Sequence, residues 1–158
     1  VVQWYLGQVT PLEADGFGYI KSMKGADTPD IFTATWQYPD CLAHWTINYT
    51  SNYYDWWHIE FQGVKGTMHL HRRGFQVYLD KDKPGNSDFP GKPHIDHEGS
   101  LPSQPHVDNF VECMKSRKKP NAPVEIGHQA ICGPHLANLA YRNGKRAKLN
   151  PEATKATV

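Results

Sequence analysis

With 17 basic and 16 acidic side chains in 158 residues, the chain carries a formal charge of +1, which gives no long-range attraction for nucleic acid or an anionic membrane. Its length suits one domain that buries about two thirds of its unfolded surface and folds without staples. Three cysteines, Cys41, Cys113 and Cys132, in no C-x-x-C spacing argue against a disulfide framework or a thiolate zinc site, and read as small buried thiols.

The chain opens in mid-pattern. Val1, Val2, Tyr5 and Leu6 keep the spacing of the last turns of an amphipathic helix, and Gly7 is placed to end it. A piece of a longer protein is therefore expected. No apolar run approaches the ~20 residues that span a bilayer, and no charged leader is present. A soluble chain is expected, in the cytoplasm, or in the periplasm if a leader precedes Val1.

A strand is expected from Leu12 to Ile20, and a turn from Lys24 to Pro29. From Ile31 to Asp80 the residues then sort onto two faces with the period of two that strands impose. Phe32, Ala34, Trp36 and Tyr38 oppose Thr33, Thr35 and Gln37. In the next run Ala43, Trp45, Ile47 and Tyr49 oppose Leu42, His44, Thr46, Asn48 and Thr50. Further on, Trp57, Ile59 and Phe61 oppose Trp56, His58, Glu60 and Gln62. Met68 and Leu70 oppose Thr67, His69 and His71, and Phe75, Val77 and Leu79 oppose Gln76 and Tyr78. Reversals at Pro39-Asp40, Gln62 to Lys65 and Arg73-Gly74 suit one antiparallel meander with an apolar floor and a polar face. Asn48-Tyr49-Thr50 has the form of a glycosylation acceptor but falls inside a predicted strand.

Lys81 to Gln104 is rich in proline, glycine and charge, has no apolar period, and reads as a long loop. Two helices follow. Ser103 is placed to cap the first and Pro105 sits in its opening turn, while Val107, Phe110, Val111 and Met114 form its stripe. The basic run Arg117-Lys118-Lys119 suits its C-terminus. The second runs from about Val124 to Arg142, bends at Gly133-Pro134, and stops at Asn143-Gly144. The tail from Asn150 is expected to fray. With the helices laid on the apolar floor, the fold class is α+β: an open-faced, largely antiparallel sheet with helices packed on one face.

Dinucleotide, Walker, serine-elbow and H-E-x-x-H signatures are absent. His44, His58, His69 and His71 share the polar face with Glu60, but parity alone does not converge ligands, so an exposed or interfacial face is the reading and no metal is assigned. His94-x-Asp96-His97 is likewise left as loop composition. The segment Ser51 to Asp55, backed by Trp56 and Trp57, mixes hydroxyl, amide, carboxylate and aromatic groups that suit a sugar. A polar turn before an aromatic strand accounts for it equally.

Four stretches carry a family likeness. They are Asp30 to Asp40, with its Trp-Gln-Tyr-Pro-Asp turn; Phe61-Gln62-Gly63-Val64-Lys65-Gly66-Thr67; His106 to Leu149, with His106-x-x-Asn109-Phe110, Arg117 to Pro123, Gly127-His128 and His135 to Gly144; and the helix end Trp4-Tyr5-Leu6-Gly7. Together they resemble the C-terminal domain of the Gfo/Idh/MocA family of NAD(P)-dependent sugar and polyol oxidoreductases, over nearly the whole chain except Lys81 to Gln104. The resemblance implies a Rossmann domain and a proton-transfer Lys ahead of Val1, and an Asp and a His on the helix that ends here. None of those positions exists in this sequence, so no catalytic residue is assigned.

The implied role is substrate binding and oligomerisation within a parent enzyme that uses NAD or NADP; this chain alone is expected to bind neither cofactor. Asn52, Tyr53 and Tyr54 match the family's substrate loop. The expected homo-oligomer interface is the polar face: Thr33, Thr35, His44, Thr46, Asn48, Trp56, His58, Glu60, Thr67, His69, His71 and Tyr78. It contains aromatics and no Lys, as interfaces favour. A module that serves only assembly is the rival reading.

Overall fold

The chain divides into two compact units, Val1–Asn52 with Lys119–Val158, and Tyr53–Lys118. The computed structural model describes residues 1–7, 10–51, 57–80, 91–100, 102–150, 152 and 154–158. Both units hold antiparallel sheets, and with the helices the class is α+β, as the alternation predicts.

In the first unit, β1 (Glu13–Tyr19), β2 (Ile31–Gln37), β3 (Leu42–Asn48), β8 (Ala147–Leu149) and β9 (Ala156–Thr157) form one sheet in the order β3-β2-β1-β8-β9. The β1–β2 register puts Ala14, Gly16 and Gly18 beside Trp36, Ala34 and Phe32. Onto this face packs α3 (Val124–Asn143), and Ala14, Ala34, Leu136, Ala137, Ala140 and Ala147 form the core with Phe32 and Trp36 against it. Small residues permit the approach. A Cβ on Gly16 would stand 3.0 Å from the Ala137 carbonyl oxygen and 3.0 Å from the Phe32 ring. Trp36 fixes the helix lengthwise, its Nε1 donating to the Gly133 carbonyl at 2.7 Å. The helix is one element through Pro134, and Gly144 ends it at φ 59° as expected.

The short α1 (Val2–Leu6) ends at Gly7 with φ 63°, again as its sequence predicts. Gln3 Nε2 ties it to α3 by donating to the Gln129 carbonyl at 3.0 Å, yet none of its residues is buried. The tail does not simply fray, as β9 pairs with β8. Asn150 makes the turn possible, its Oδ1 accepting the Thr154 and Lys155 amides at 2.9 and 2.7 Å.

Asp30 closes the β1–β2 connection. It is fully buried, and its carboxylate accepts the backbone N–H groups of Lys21, Ser22 and Met23 at 2.8, 2.6 and 2.9 Å. The Lys21 amide bond chiefly, with those of Met23 and Ser22, holds the Asp30 pKa below its ordinary value of 3.8 against the opposing effect of burial.

The second unit holds β4 (His58–Gly63), β5 (Gly66–His71), β6 (Gly74–Leu79) and β7 (Ile95–Glu98), in that order across the sheet, and α2 (Gln104–Ser116). The single meander expected from Ile31 to Asp80 is thus divided between two sheets. The physical reason lies in the connections: four residues join β2 to β3 and two each join β4 to β5 and β5 to β6, whereas nine separate Asn48 from His58. Asn48 itself ends β3, its Oδ1 accepting Thr50 N and Oγ1 at 2.9 and 2.6 Å, so the acceptor-like triplet is a turn and not strand interior.

Two further expectations are corrected here. The stretch taken as a long loop contains β7, a four-residue edge strand of Ile, Asp, His and Glu, all exposed; so short and polar a strand has no apolar period to betray it. The stripe of α2 covers nothing fully, since no residue of the helix is buried and Phe110 is 57% exposed. Ser103 is its N-cap residue, as expected, but makes no side-chain capping bond.

Replacing Gly16 with Val forces α3 off β1 and is expected to cost about 1–3 kcal/mol, read as a lower denaturation midpoint at unchanged m-value. The Asp30 contribution has a defined sign: with the folded pKa depressed, it is fully present above the ordinary value of 3.8 and is lost as pH falls through the lower folded value. Melting temperature measured from pH 7 down to pH 2 should therefore fall less steeply in Asp30→Asn than in the unmodified chain.

Candidate functional site

The side of the first sheet turned away from α3 is a laid-out field of polar and aromatic groups. Register places Asp15, Thr35 and His44 in one cross-strand row, Phe17, Thr33 and Thr46 in the next, and Tyr19, Ile31 and Asn48 in a third. Thr33, Thr35, His44, Thr46 and Asn48 are thus brought together on one face as expected. The β1 members Glu13, Asp15, Phe17 and Tyr19 were missed. Their signal was available, since they alternate with Ala14, Gly16 and Gly18. Phe17 and Tyr19 are 73% and 64% exposed. Arg146 closes the acidic end, with Nη1 2.8 Å from Glu13 Oε1 and Nε 2.9 Å from Asp15 Oδ2, and these carboxylates raise its pKa.

His44 lies between two hydroxyls, 3.2 Å from Thr33 Oγ1 through Nε2 and 3.1 Å from Thr35 Oγ1 through Nδ1. Thr33 spends its one proton on the Trp45 carbonyl at 3.2 Å, so towards the imidazole it can only accept. Neutral His44 is therefore protonated at Nε2 and accepts the Thr35 proton at Nδ1. Long-range 1H–15N correlation at about pH 8, where an ordinary imidazole is neutral, should show the Nε2–H tautomer, and Thr33→Val should abolish the preference.

In the second unit His58, Glu60, Thr67, His69, His71 and Tyr78 also share one face. His58 stands opposite His71, Glu60 opposite His69, and Thr67 opposite Tyr78. Glu60 Oε2 is 2.9 Å from His69 Nε2, and its Oε1 accepts from Gln62. Tyr78, although on this face, is already buried, its hydroxyl donating to Gln76 Oε1 at 3.2 Å; Gln76 Nε2 in turn donates to Asp96 at 3.3 Å. An open depression of about 310 Å³ beside β7 is lined by His71, Arg73, Gln76, Asp96 and Glu98 among others. It can accept a polar group but does not enclose one.

Strand alternation separates His97 from Asp96. The His97 ring lies 5.2 Å from Phe75, while Asp96 stands beside Gln76. Among the described residues no group of three His, Cys, Asp or Glu side chains is placed to hold a metal ion. Every strand pairing among them is antiparallel, and no described strand runs through a glycine-rich turn into a helix. Cys41 is no activated nucleophile, because burial and the Asp40 charge push its thiol pKa up. Asn52, Tyr53, Tyr54 and Trp56 lie outside the described residues. No helix among the described residues is long and apolar enough to cross a membrane.

No family model and no curated protein matches the chain. Solved structures match its fold. A Klebsiella pneumoniae protein provisionally assigned as an oxidoreductase is 12% identical with a TM-score of 0.67, covering 94% of this chain and 45% of its own. The provisionally assigned oxidoreductase yvaA of Bacillus subtilis is 13% identical with a TM-score of 0.65, covering 94% of this chain and 49% of its own. The WlbA dehydrogenase of Bordetella pertussis, solved with NADH and UDP-GlcNAcA, is 13% identical with a TM-score of 0.56, covering 94% of this chain and 41% of its own. The chain spans less than half the length of each, and at such identities the likeness is one of fold alone.

Proposed function

We propose that this chain is the substrate-binding and oligomerisation portion of an NAD(P)-dependent oxidoreductase of the Gfo/Idh/MocA type, acting on a sugar, sugar derivative or polyol. The observation that carries the reading is the fold match over 94% of the chain to less than half of a dehydrogenase solved with NADH and a sugar nucleotide. The cofactor, NAD or NADP, is held by a part of the parent outside this chain. What this portion contributes is position and selectivity for the substrate's hydroxyls, with Asn52, Tyr53 and Tyr54 forming the sugar wall.

The polar sheet faces pair subunits. Thr33, Thr35, His44, Thr46 and Asn48 serve in one unit, and Trp56, His58, Glu60, Thr67, His69 and His71 in the other, while Tyr78, expected on this face, is already buried within its own unit. Exposed Phe17 and Tyr19 extend the first of these faces with the aromatic surface that interfaces favour. That same exposure also supports the rival reading of a module for assembly alone. The complete reading frame separates the two, because only the enzyme requires a dinucleotide site elsewhere in it.

Three measurements follow. Calorimetric titration of the 158-residue chain should detect no NADH or NADPH binding at micromolar concentrations, and a micromolar Kd would overturn the assignment of the cofactor to another part. The complete gene product should oxidise a sugar or polyol with NAD or NADP, and Tyr53→Phe with Tyr54→Phe should lower kcat/KM about ten-fold or more, whereas an unchanged value removes the loop from the wall. Light scattering at neutral pH should give a dimer or larger species, and Thr46→Glu with His58→Glu should dissociate it by setting like charges across the two-fold axis. A monomer at tens of micromolar protein would sink the interface.

A further inference from the structure

We infer that His44, Thr35 and Asp15 form a proton-gated hydroxyl relay on the open face of the first sheet, which releases that face from a second copy as pH falls. Its effect on assembly rests on the pairing of polar faces proposed above, whereas the relay itself stands on the geometry of one unit.

Neutral His44 leaves Thr35 a single role. Thr33 spends its proton on the Trp45 carbonyl and accepts from Nε2–H, so Nδ1 holds the lone pair and Thr35 Oγ1, 3.1 Å away, donates to it. Protonation of the imidazole reverses that bond. Both ring nitrogens then carry hydrogen, Thr33 goes on accepting from Nε2–H, and Thr35 changes from donor to acceptor at Nδ1–H. Its own proton has to turn elsewhere.

The cross-strand neighbour of Thr35 on the side away from His44 is Asp15, directly opposite it on β1. Side chains paired in this way are close enough to interact. Asp15 Oδ2 is engaged by Arg146 Nε at 2.9 Å, which leaves Oδ1 to take the hydroxyl, and an ionised acceptor draws it more strongly than a neutral one. A proton on His44 is thereby felt two strands away.

The charge of the face changes with it. Among the described residues, the other titratable or charged groups there are Glu13, Asp15 and Tyr19 from β1, with Lys148 of β8 and Arg146 just before it; β2 contributes none. Two carboxylates and two basic groups balance, so the face is uncharged while His44 is neutral and carries one positive charge once it is protonated. An isologous pairing sets that charge against its own copy and takes both out of water. The paired state thus disfavours the imidazolium, so pairing is at full strength above the His44 midpoint of the separate chain and weakens as pH falls below it.

Carbon-13 NMR of the 158-residue chain tests the relay. From about pH 8 to about pH 5 the Asp15 carboxyl shift should follow the His44 ring titration, and Thr35→Val should remove that inflection while His44 still titrates. Valine suits a strand, so the fold is retained. An Asp15 signal flat through the His44 transition, or an inflection undiminished in Thr35→Val, refutes the relay.

Light scattering over the same range tests the release. The Kd of the pair should rise as pH falls, and the rise should be about ten-fold or more smaller in His44→Gln. His58, His69 and His71 are the same in both proteins, so the difference belongs to His44. Equal pH dependence in the two rules the release out. A chain that is monomeric throughout sinks the proposed pairing and the release with it, while the carboxyl shift still decides the relay.

Discussion

The close approach of α3 to β1 is the constraint on which the first unit depends. It requires residues with little or no side chain on both partners, and Gly16 against Ala137 supplies them at the tightest point. Once the helix lies that near, Trp36 reaches the Gly133 carbonyl, and Phe32 meets Tyr141 edge-on with ring centres 5.6 Å apart. All apolar surface of β1 and β2 on that side is then committed. The reverse side carries Thr33, Thr35 and His44 beside the exposed rings of Phe17 and Tyr19, a mixture that a face without helix packing on it tolerates.

Hydrogen bonding on the reverse side is local and directional rather than cumulative. His44 is oriented by Thr33, which is oriented by the Trp45 carbonyl, so its tautomer follows from a backbone atom. Glu60 gathers His69 and Gln62 in the second unit in a comparable way. Surfaces organised like this present fixed donors and acceptors, which lowers the entropic cost of meeting another surface.

Much of this was legible in the sequence, and for a definite reason. A period of two survives in any strand with one apolar side, so the placing of Thr33, Thr46, Glu60 and His69 on polar faces followed from counting alone, while their cross-strand partners did not. Gly7 and Gly144 marked helix ends because a left-handed residue is needed there. Strand β7 stayed hidden, as Ile-Asp-His-Glu has no side to bury. The division between sheets also stayed hidden, because period cannot say whether two strands are neighbours. Asp30 was read as part of a motif and not as a buried carboxylate closing the β1–β2 connection, since three amide donors from Lys21 to Met23 leave no mark on side-chain composition.

The pairing of β1 with β8 has a consequence for how the chain acquires its structure. Glu13 meets Lys148, and Arg146 meets Glu13 and Asp15, so the first strand of the unit waits for residues more than 130 positions later. Such a contact carries a large loop-closure entropy and a high contact order, and it forms late. The hairpins β4–β5 and β5–β6 have only two-residue turns and can form on the ribosome as soon as they emerge. During synthesis, then, the middle of the chain is ready first, and the small-residue face of β1 stays unsealed until the last few dozen residues deliver α3 and β8 to it.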